Sequence, residues 1–314
     1  MTISRLRTIV TGIAAAGLIA AVCSAGAAQA TSAAAAKPPA ASRVSSDNGV
    51  PIAAKLTRII SLSPTATEML FAIGAGRQVI AVDDQSDYPA NAPRTSLSGY
   101  NLNIEAVAAK RPDLVVLSYD PTPNQTALSA FASLRIPVLM HEAAFSLQDS
   151  YNQITELCAV TGRTGAAARL VGSMKSSIAG TIKSRKATKR ITVFHEIDNT
   201  LYSATSDTFI GRVYSDLGLV NIADAAATAD SYGYPQLSSE YVVKSNPDII
   251  ILTDADYGES ARSVAARPGW RLIGAVKNSR VYPVSASVSS RWGPRIVEFY
   301  ISVGRVVAAI NKAR

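Results

Sequence analysis

The two histidines have the greatest capacity for chemistry, and both follow short apolar runs. His141 follows Ile136-Pro-Val-Leu-Met, and His195 follows Arg190-Ile-Thr-Val-Phe. The run His195-Glu196-Ile197-Asp198 suggests a metal site, but a closed transition-metal site needs three or four strong ligands and the chain has no third histidine. We therefore expect no resident metal ion, and we interpret both histidines as residues that line or cap a cleft through hydrogen bonds.

The sequence carries no motif for nucleophilic or phosphoryl-transfer catalysis. It lacks a G-x-S-x-G elbow, a P-loop, an H-E-x-x-H helix and a C-x-x-C pair. Cys158 lies on the apolar side of a helical pattern, beside Ile154 and Leu157, which indicates a small buried hydrophobe and not a nucleophile. We assign no catalytic residue and no catalytic cofactor.

Aromatic residues follow the predicted strands in both halves of the chain. The tyrosines are Tyr88, Tyr100, Tyr119, Tyr202, Tyr232 and Tyr234, and Arg291 and Trp292 precede the last helix. Aromatic faces bury apolar area while their hydroxyl groups reach polar atoms. A cleft with this lining is suited to a large, flat ligand with a polar rim.

The elements that position these residues occur twice. Residues 105–117 read EAVAAKRPDLVVL and residues 240–252 read EYVVKSNPDIIIL, in one register. Each copy follows a helix-capping residue, Asn103 or Ser238/Ser239, then forms a short helix that ends at a proline and enters a buried strand. The repeat predicts two α/β lobes, each built around its own mostly parallel sheet.

The boundary between the two copies carries a helical pattern over residues 164–188, with an apolar stripe that includes Leu170, Met174 and Ile178. This segment predicts either an ordinary surface helix or one long helix that joins the lobes, and its place at the boundary favours the second. The expected lobes are 57–163 and 189–314.

The N-terminal residues have the features of an export signal. Arg5 and Arg7 precede an apolar stretch too short to span a bilayer comfortably, and Ala28-Gln29-Ala30 fits a cleavage site. Cleavage after residue 30 gives an exported protein, periplasmic or at the cell surface, and lipidation of Cys23 is the alternative. Residues 31–56 are rich in Ala, Ser and Pro and predict a flexible linker.

The formal net charge is +8, but the basic residues are mostly scattered and no aromatic residues are interleaved with them. Together with the export signal, this argues against a nucleic-acid partner. We expect a monomer.

Several segments resemble the iron-chelate and cobalamin-binding proteins of ABC importers. RIISLSPTATEMLFAIG, AVDDQSDYPANA and NLNIEAVAAKRPDLVVLS are similar to the first lobe of that family. GYPQLSSEYVVKSNPDIIIL and SSRWGPRIVEFY are similar to its second lobe, and the cobalamin branch is the nearest. The resemblance covers roughly residues 57–310. It implies two Rossmann-like lobes, one connecting helix, a ligand cleft between the lobes and little hinge motion.

The resemblance also implies roles for individual residues. Glu105 and Glu240 match the glutamates, one in each lobe, that meet arginines of the permease; as first-turn residues they are also favoured by the helix dipole. The expected ligand-binding residues are Gln85, Tyr88, Tyr100, Tyr119, Tyr234, Arg291 and Trp292. Gln85 stands where an aromatic residue would be expected in the cobalamin binders, and Tyr234 takes the place of a tryptophan.

The implied function is capture of a metal chelate and delivery to a membrane permease that works with a cytoplasmic ATPase. A corrinoid is the first choice, haem the second and a ferric siderophore the third. An enzyme that acts on a bound chelate, and an interaction module that borrowed the fold, are rival classes.

Overall fold

The computed structural model describes residues 44–118 and 124–313. The predicted signal peptide, Cys23 and Tyr119 lie outside the described residues. The first half contains β1 (Ile59–Leu62), α1 (Pro64–Ala72), β2 (Val79–Val82), α2 (Ile104–Ala109), β3 (Leu114–Ser118), α3 (Asn124–Ser133), β4 (Val138–His141), α4 (Leu147–Val160) and α5 (Thr164–Arg185). The second half contains β5 (Thr192–Glu196), α6 (Phe209–Asp216), β6 (Val220–Asn221), α7 (Ser239–Ser245), β7 (Ile249–Leu252), α8 (Ala261–Ala266), α9 (Gly274–Lys277), β8 (Val281–Pro283), α10 (Ala286–Ser289) and α11 (Ile296–Lys312).

The described strands form two parallel four-stranded sheets with equivalent connections. The first has the order β2-β1-β3-β4 and the second has the order β6-β5-β7-β8. The central strands β1, β3, β5 and β7 are almost fully buried, and β1, β3 and β7 are mainly apolar, as expected for parallel strands covered on both faces. The prediction of two α/β lobes is confirmed, and the carboxyl ends of the strands in each lobe lie at one edge of its sheet.

The Pro-Asp pair of the internal repeat fastens neighbouring strands in both lobes. Asp113 accepts hydrogen bonds from the backbone N–H groups of Thr57 (2.8 Å) and Arg58 (2.9 Å). Asp248 accepts from the backbone N–H (2.8 Å) and the hydroxyl (2.9 Å) of Thr192. Asp113 thus links the start of β3 to the start of β1, and Asp248 links the start of β7 to the start of β5. This shared role explains why the aspartate occurs in both copies of the repeat.

The helix α5 runs from Thr164 to Arg185, inside the range that the sequence predicts for the connection. It packs against α4 of the first lobe and against α11 at the end of the chain. Gly304 allows the second contact, because a Cβ atom there would lie 2.9 Å from the Thr181 methyl group. Among the described helices, none has both the length and the apolar character needed to cross a membrane.

The end of the expected flexible linker is ordered against the first lobe, so that prediction is wrong for residues 44–56. The backbone N–H of Asp47 donates to the carbonyl of Val138 (2.9 Å), and its carboxylate accepts from the N–H of Met140 (2.6 Å). Asn48 adds a bond to Ile136, and Leu56 is buried in the core. The reason is that β4 is an edge strand whose open polar groups need partners.

A close approach at the start of α6 yields a stability prediction. A Cβ atom on Gly211 would lie 1.9 Å from the backbone oxygen of Thr205, whereas one on Gly172, within α5, would meet nothing within 4 Å. We expect Gly211→Ala to lower the free energy of unfolding by about 2 kcal/mol or more through overpacking. Gly172→Ala should raise it by roughly 0.5–1 kcal/mol, because alanine is the better helix former.

Urea unfolding of both variants measures the difference. If both substitutions changed the free energy of unfolding by the same amount, the backbones of Gly211 and Thr205 would not lie in close contact.

Candidate functional site

Two adjoining cavities form a cleft at the carboxyl ends of the strands. The larger has a volume of about 1040 Å³ and is lined mainly by the second lobe. The smaller, of about 510 Å³, takes much of its lining from the first lobe, including Pro64, Gln85 and Tyr100. The two share Tyr257, Ala286, Ser290 and Trp292, so they are parts of one inter-lobe cleft.

The larger cavity has an aromatic wall. Its aromatic lining residues are Phe145, Tyr202, Phe209, Tyr232, Tyr234, Tyr257 and Trp292. Phe145 follows β4, Tyr202 follows β5 and Tyr257 follows β7, so successive strand ends supply the wall. The Trp292 ring is held in place because its Nε1–H donates to Gln153 Oε1 (2.8 Å). Such a surface can bury a large ligand without rearranging.

Charge is distributed unequally over the cleft. The described lining of the larger cavity contains Asp198 and Asp207 but no lysine or arginine. Burial raises the pKa of Tyr234, so this phenol stays protonated at neutral pH. The smaller cavity is lined by charged residues of both signs, namely Asp84, Asp87, Arg94, Asp256 and Arg291.

The predicted ligand residues are only partly brought together. Gln85, Tyr100, Arg291 and Trp292 line the smaller cavity, and Tyr234 and Trp292 line the larger one. Tyr88 lines neither cavity; its ring is covered by the Arg295 guanidinium, whose carbon lies 4.2 Å from the ring centroid. The structure thus places Tyr88 beside Arg295 and outside these two cavities. Tyr119 remains a prediction, outside the described residues.

Arg291 lines the cleft but is not a free cation. Its guanidinium donates to Glu68 Oε1 (2.9 Å), to Asp87 Oδ1 (2.5 Å) and to the carbonyl of Gln85 (2.9 Å). Arg295 also binds Glu68, with Nε at 3.0 Å from Oε2. Glu68, which is 2% exposed, thus joins α1 of the first lobe to the loop before α11, and we call these contacts the Glu68 cluster.

The two histidines do not share one role. His195 lies within β5, is 1% exposed and lines the larger cavity, and its Nδ1 is 2.6 Å from the hydroxyl of Tyr214. Burial lowers the pKa of His195 to about 3, so the ring is neutral. His141 ends β4, is buried with Nε2 at 3.3 Å from Glu156 Oε2, and lines neither cavity, so its predicted place in the cleft is wrong. Within the described residues, no group of His, Cys, Asp or Glu is arranged to hold a metal ion.

Glu105 and Glu240 are exposed in the first turns of α2 and α7. The helices are capped as the sequence predicts, since Asn103 accepts from the N–H of Ala106 (2.9 Å) and Ser238 from that of Tyr241 (3.1 Å). Neither glutamate lines the cleft or makes an ion pair among the described residues.

Sequence reasoning missed several lining residues. Phe145 and Tyr257 are single aromatics in loops, and Thr205 is one threonine among many. Phe145 follows β4 and Tyr257 follows β7, but no other feature of the sequence marks these two residues. The Glu68 cluster gave no local signal, since its partners are 223 residues apart in the chain.

Two parallel-sheet lobes, a connecting helix and an aromatic cleft between the lobes define a two-lobed solute-binding protein. The chain belongs to the periplasmic binding protein family, whose model matches residues 59–287. This match confirms the resemblance to the iron-chelate and cobalamin-binding proteins of ABC importers, and the chain is a solute-binding protein and not an enzyme.

Individual relatives agree with this assignment. The chain is 34% identical, over 91% of its length and 93% of the relative's, to an uncharacterized ABC transporter substrate-binding lipoprotein of Bacillus subtilis. It is 28% identical to a cobalamin-binding protein of Halobacterium salinarum, over 81% of the chain and 70% of the relative. A periplasmic heme-binding protein of Vibrio cholerae shares the fold with a TM-score of 0.72 at 21% identity, over 80% of this chain and 98% of that one.

The Glu68 cluster leads to a second prediction. Replacing Glu68 with Gln leaves Arg291 and Arg295, which are largely buried, without their shared carboxylate. We expect the free energy of unfolding to fall by about 3 kcal/mol, as for other buried ion pairs that lose one partner.

The matched control is Glu105→Gln, an exposed glutamate, which should change the free energy of unfolding by no more than about 0.5 kcal/mol. Urea unfolding monitored by tryptophan fluorescence compares the two. A Glu68 variant as stable as its control would show that the cluster does not hold the lobes.

Proposed function

We propose that this protein captures a cobalamin-type corrinoid in the inter-lobe cleft and delivers it to the permease of an ABC importer. The protein acts outside the cytoplasmic membrane, and the cytoplasmic ATPase of the importer drives transport. The corrinoid is cargo and takes no part in catalysis.

The observation that carries this proposal is the larger cavity, with its aromatic wall and, among its described lining residues, no lysine or arginine. An uncharged, amide-rimmed macrocycle can bury its apolar faces against such a wall. A ligand with several carboxylates would lose its hydration there without meeting a cation. The smaller cavity, with polar residues of both lobes, can receive hydrogen-bonding groups at the ligand's edge.

The relatives support the class of cargo and the compartment. One relative is named a cobalamin-binding protein, and another is named a substrate-binding lipoprotein of an ABC transporter. An extracytoplasmic location also agrees with the export signal expected in residues 1–30.

Haem is the second candidate, because Tyr100 is 86% exposed and lines the smaller cavity. A phenolate there is a suitable ligand for ferric iron. Arg94, also in that lining, makes no ion pair among the described residues and is able to meet a propionate. Arg291 is less suited to this role because Glu68 and Asp87 already bind it. A ferric siderophore is third, since the described lining of the cleft contains no cluster of free arginines.

The test compares three ligands: cyanocobalamin, haemin and a hydroxamate siderophore. We expect cyanocobalamin to quench the fluorescence of Trp292, which lines both cavities, and a Trp292→Phe variant to lose part of that signal because Trp270 lies in neither lining. Tyr257→Ala should weaken cobalamin binding by about tenfold, ~1.4 kcal/mol. Tyr88→Ala, outside the cleft, should leave the affinity almost unchanged.

A Soret shift with haemin that disappears in Tyr100→Ala, together with no response to cyanocobalamin, would establish haem as the ligand in place of a corrinoid.

Glu105 and Glu240 are proposed as docking charges for the permease. Both are exposed, lie outside the cleft and have no partner charge among the described residues. Charges placed in this way give orientation and association rate to a protein complex. Their equivalent positions in the two lobes fit a partner that presents one cation to each lobe.

We expect Glu105→Ala and Glu240→Ala to abolish most cobalamin uptake by cells while leaving cobalamin binding by the purified protein intact. Glu298→Ala is the matched control, since Glu298 is also an exposed first-turn glutamate. It should leave uptake unchanged. If either docking variant weakened ligand binding more than about tenfold, that glutamate would belong to the ligand site.

A further inference from the structure

Two lining residues of the larger cavity, which we call its floor, each carry a polar atom that has no partner among the described residues. Nε2 of His195 and Oγ1 of Thr205 are both buried and make no hydrogen bond within the described part of the chain. Both residues line the cavity, although they are only 1% and 3% exposed. Buried polar atoms in proteins almost always have a hydrogen-bond partner. The cavity is the place from which a bound molecule can supply one.

The neighbouring Tyr214 determines which tautomer His195 adopts. Tyr214 is fully buried, and its hydroxyl has one hydrogen-bonding neighbour among the described residues, Nδ1 of His195 at 2.6 Å. If the phenol donates to Nδ1, only the Nε2–H group is left without a partner. If Nδ1–H donated to the phenol oxygen, both the phenol proton and the Nε2 lone pair would be unpartnered. The first arrangement satisfies more groups, so Nε2 carries the proton.

This tautomer limits what His195 can do. A ring nitrogen that carries a proton donates a hydrogen bond and does not coordinate a metal ion. The imidazole is also neutral, because burial keeps its pKa near 3, and the charged lining residues of the cavity, Asp198 and Asp207, are both acidic. The floor is therefore suited to an uncharged acceptor and unsuited to a carboxylate.

The position of Thr205 is fixed by its backbone. Its N–H donates to the carbonyl of Gly233 (2.8 Å), and its own carbonyl accepts from the hydroxyl of Thr208 (2.7 Å). The side-chain hydroxyl is left as a second group that is able to meet the bound molecule.

We propose that His195 and Thr205 form an uncharged polar subsite that receives a carboxamide oxygen of the bound solute, with the Nε2–H group of His195 as donor. His195 is thus a specificity-determining residue and not an axial ligand of the chelated metal. The carboxamide rests on the proposed corrinoid function, whereas the direction of the hydrogen bond does not.

Nitrogen-15 NMR of the ligand-free protein tests the tautomer directly. The chain has two histidines, so a His141→Gln variant leaves His195 as the only imidazole in untagged protein. At neutral pH we expect the shifts of a protonated Nε2 and an unprotonated Nδ1. Tyr214→Phe removes the phenol proton and should shift the equilibrium towards Nδ1–H. A protonated Nδ1 in the otherwise unaltered protein would overturn the proposal.

Binding measurements test the contact itself. We expect His195→Leu to weaken cyanocobalamin binding by about tenfold or more, as for loss of one buried hydrogen bond. His195→Gln, which retains an N–H donor, should recover part of the affinity. Thr205→Val gives a second variant, of nearly equal shape, if His195→Leu does not fold. A corrinoid with its carboxamides hydrolysed to carboxylates should bind the unaltered protein more weakly.

These outcomes separate the subsite from the function on which it rests. If the unaltered protein does not bind cyanocobalamin, the corrinoid function fails and the carboxamide fails with it, but NMR still determines whether His195 is a donor. If it binds cyanocobalamin and folded His195→Leu and Thr205→Val bind it equally well, the function stands and the subsite is refuted.

Discussion

The cleft depends on one carboxylate that is shared between the lobes. Each lobe has its own sheet, and one cluster of buried apolar residues includes side chains of both lobes, so the ion contact acts together with apolar packing. Glu68, at 2% exposure, binds arginines of the loop before α11 and thereby connects the first lobe to the end of the chain. Because α11 also packs on α5, the lobes are joined by a helix contact as well as by this ion cluster.

The lining of the cleft sets which ligands it can distinguish. The larger cavity offers aromatic faces and a neutral floor, whereas the smaller one carries charges of both signs. A ligand that fills both cavities is best matched by an apolar body with a polar edge. This division of polarity restricts the cargo more than volume alone does.

The sequence predicted the fold well because the fold is repeated. The two copies of Glu-x-Val-x-x-x-x-Pro-Asp encode a capped helix, a stop and a buried strand, and every part of that pattern is local. Arg291 shows where local reasoning ends. Its type and place in a loop predict a ligand-binding cation. Its ion-pair partner Glu68 lies 223 residues away in the sequence, and no periodic pattern predicts such a pair. Phe145 and Tyr257 were missed for a related reason, since single loop aromatics have no pattern.

Residues 44–56 were expected to be a linker because alanine, serine and proline dominate the segment that contains them. In the folded protein, Asp47 and Asn48 occupy the open side of β4 and satisfy the polar groups of Val138, Met140 and Ile136. A recombinant protein trimmed to begin at residue 57 would therefore have an unprotected edge strand. Its free N–H and C=O groups would be a template for pairing with a second copy, so the choice of the first residue in an expression plasmid bears directly on aggregation.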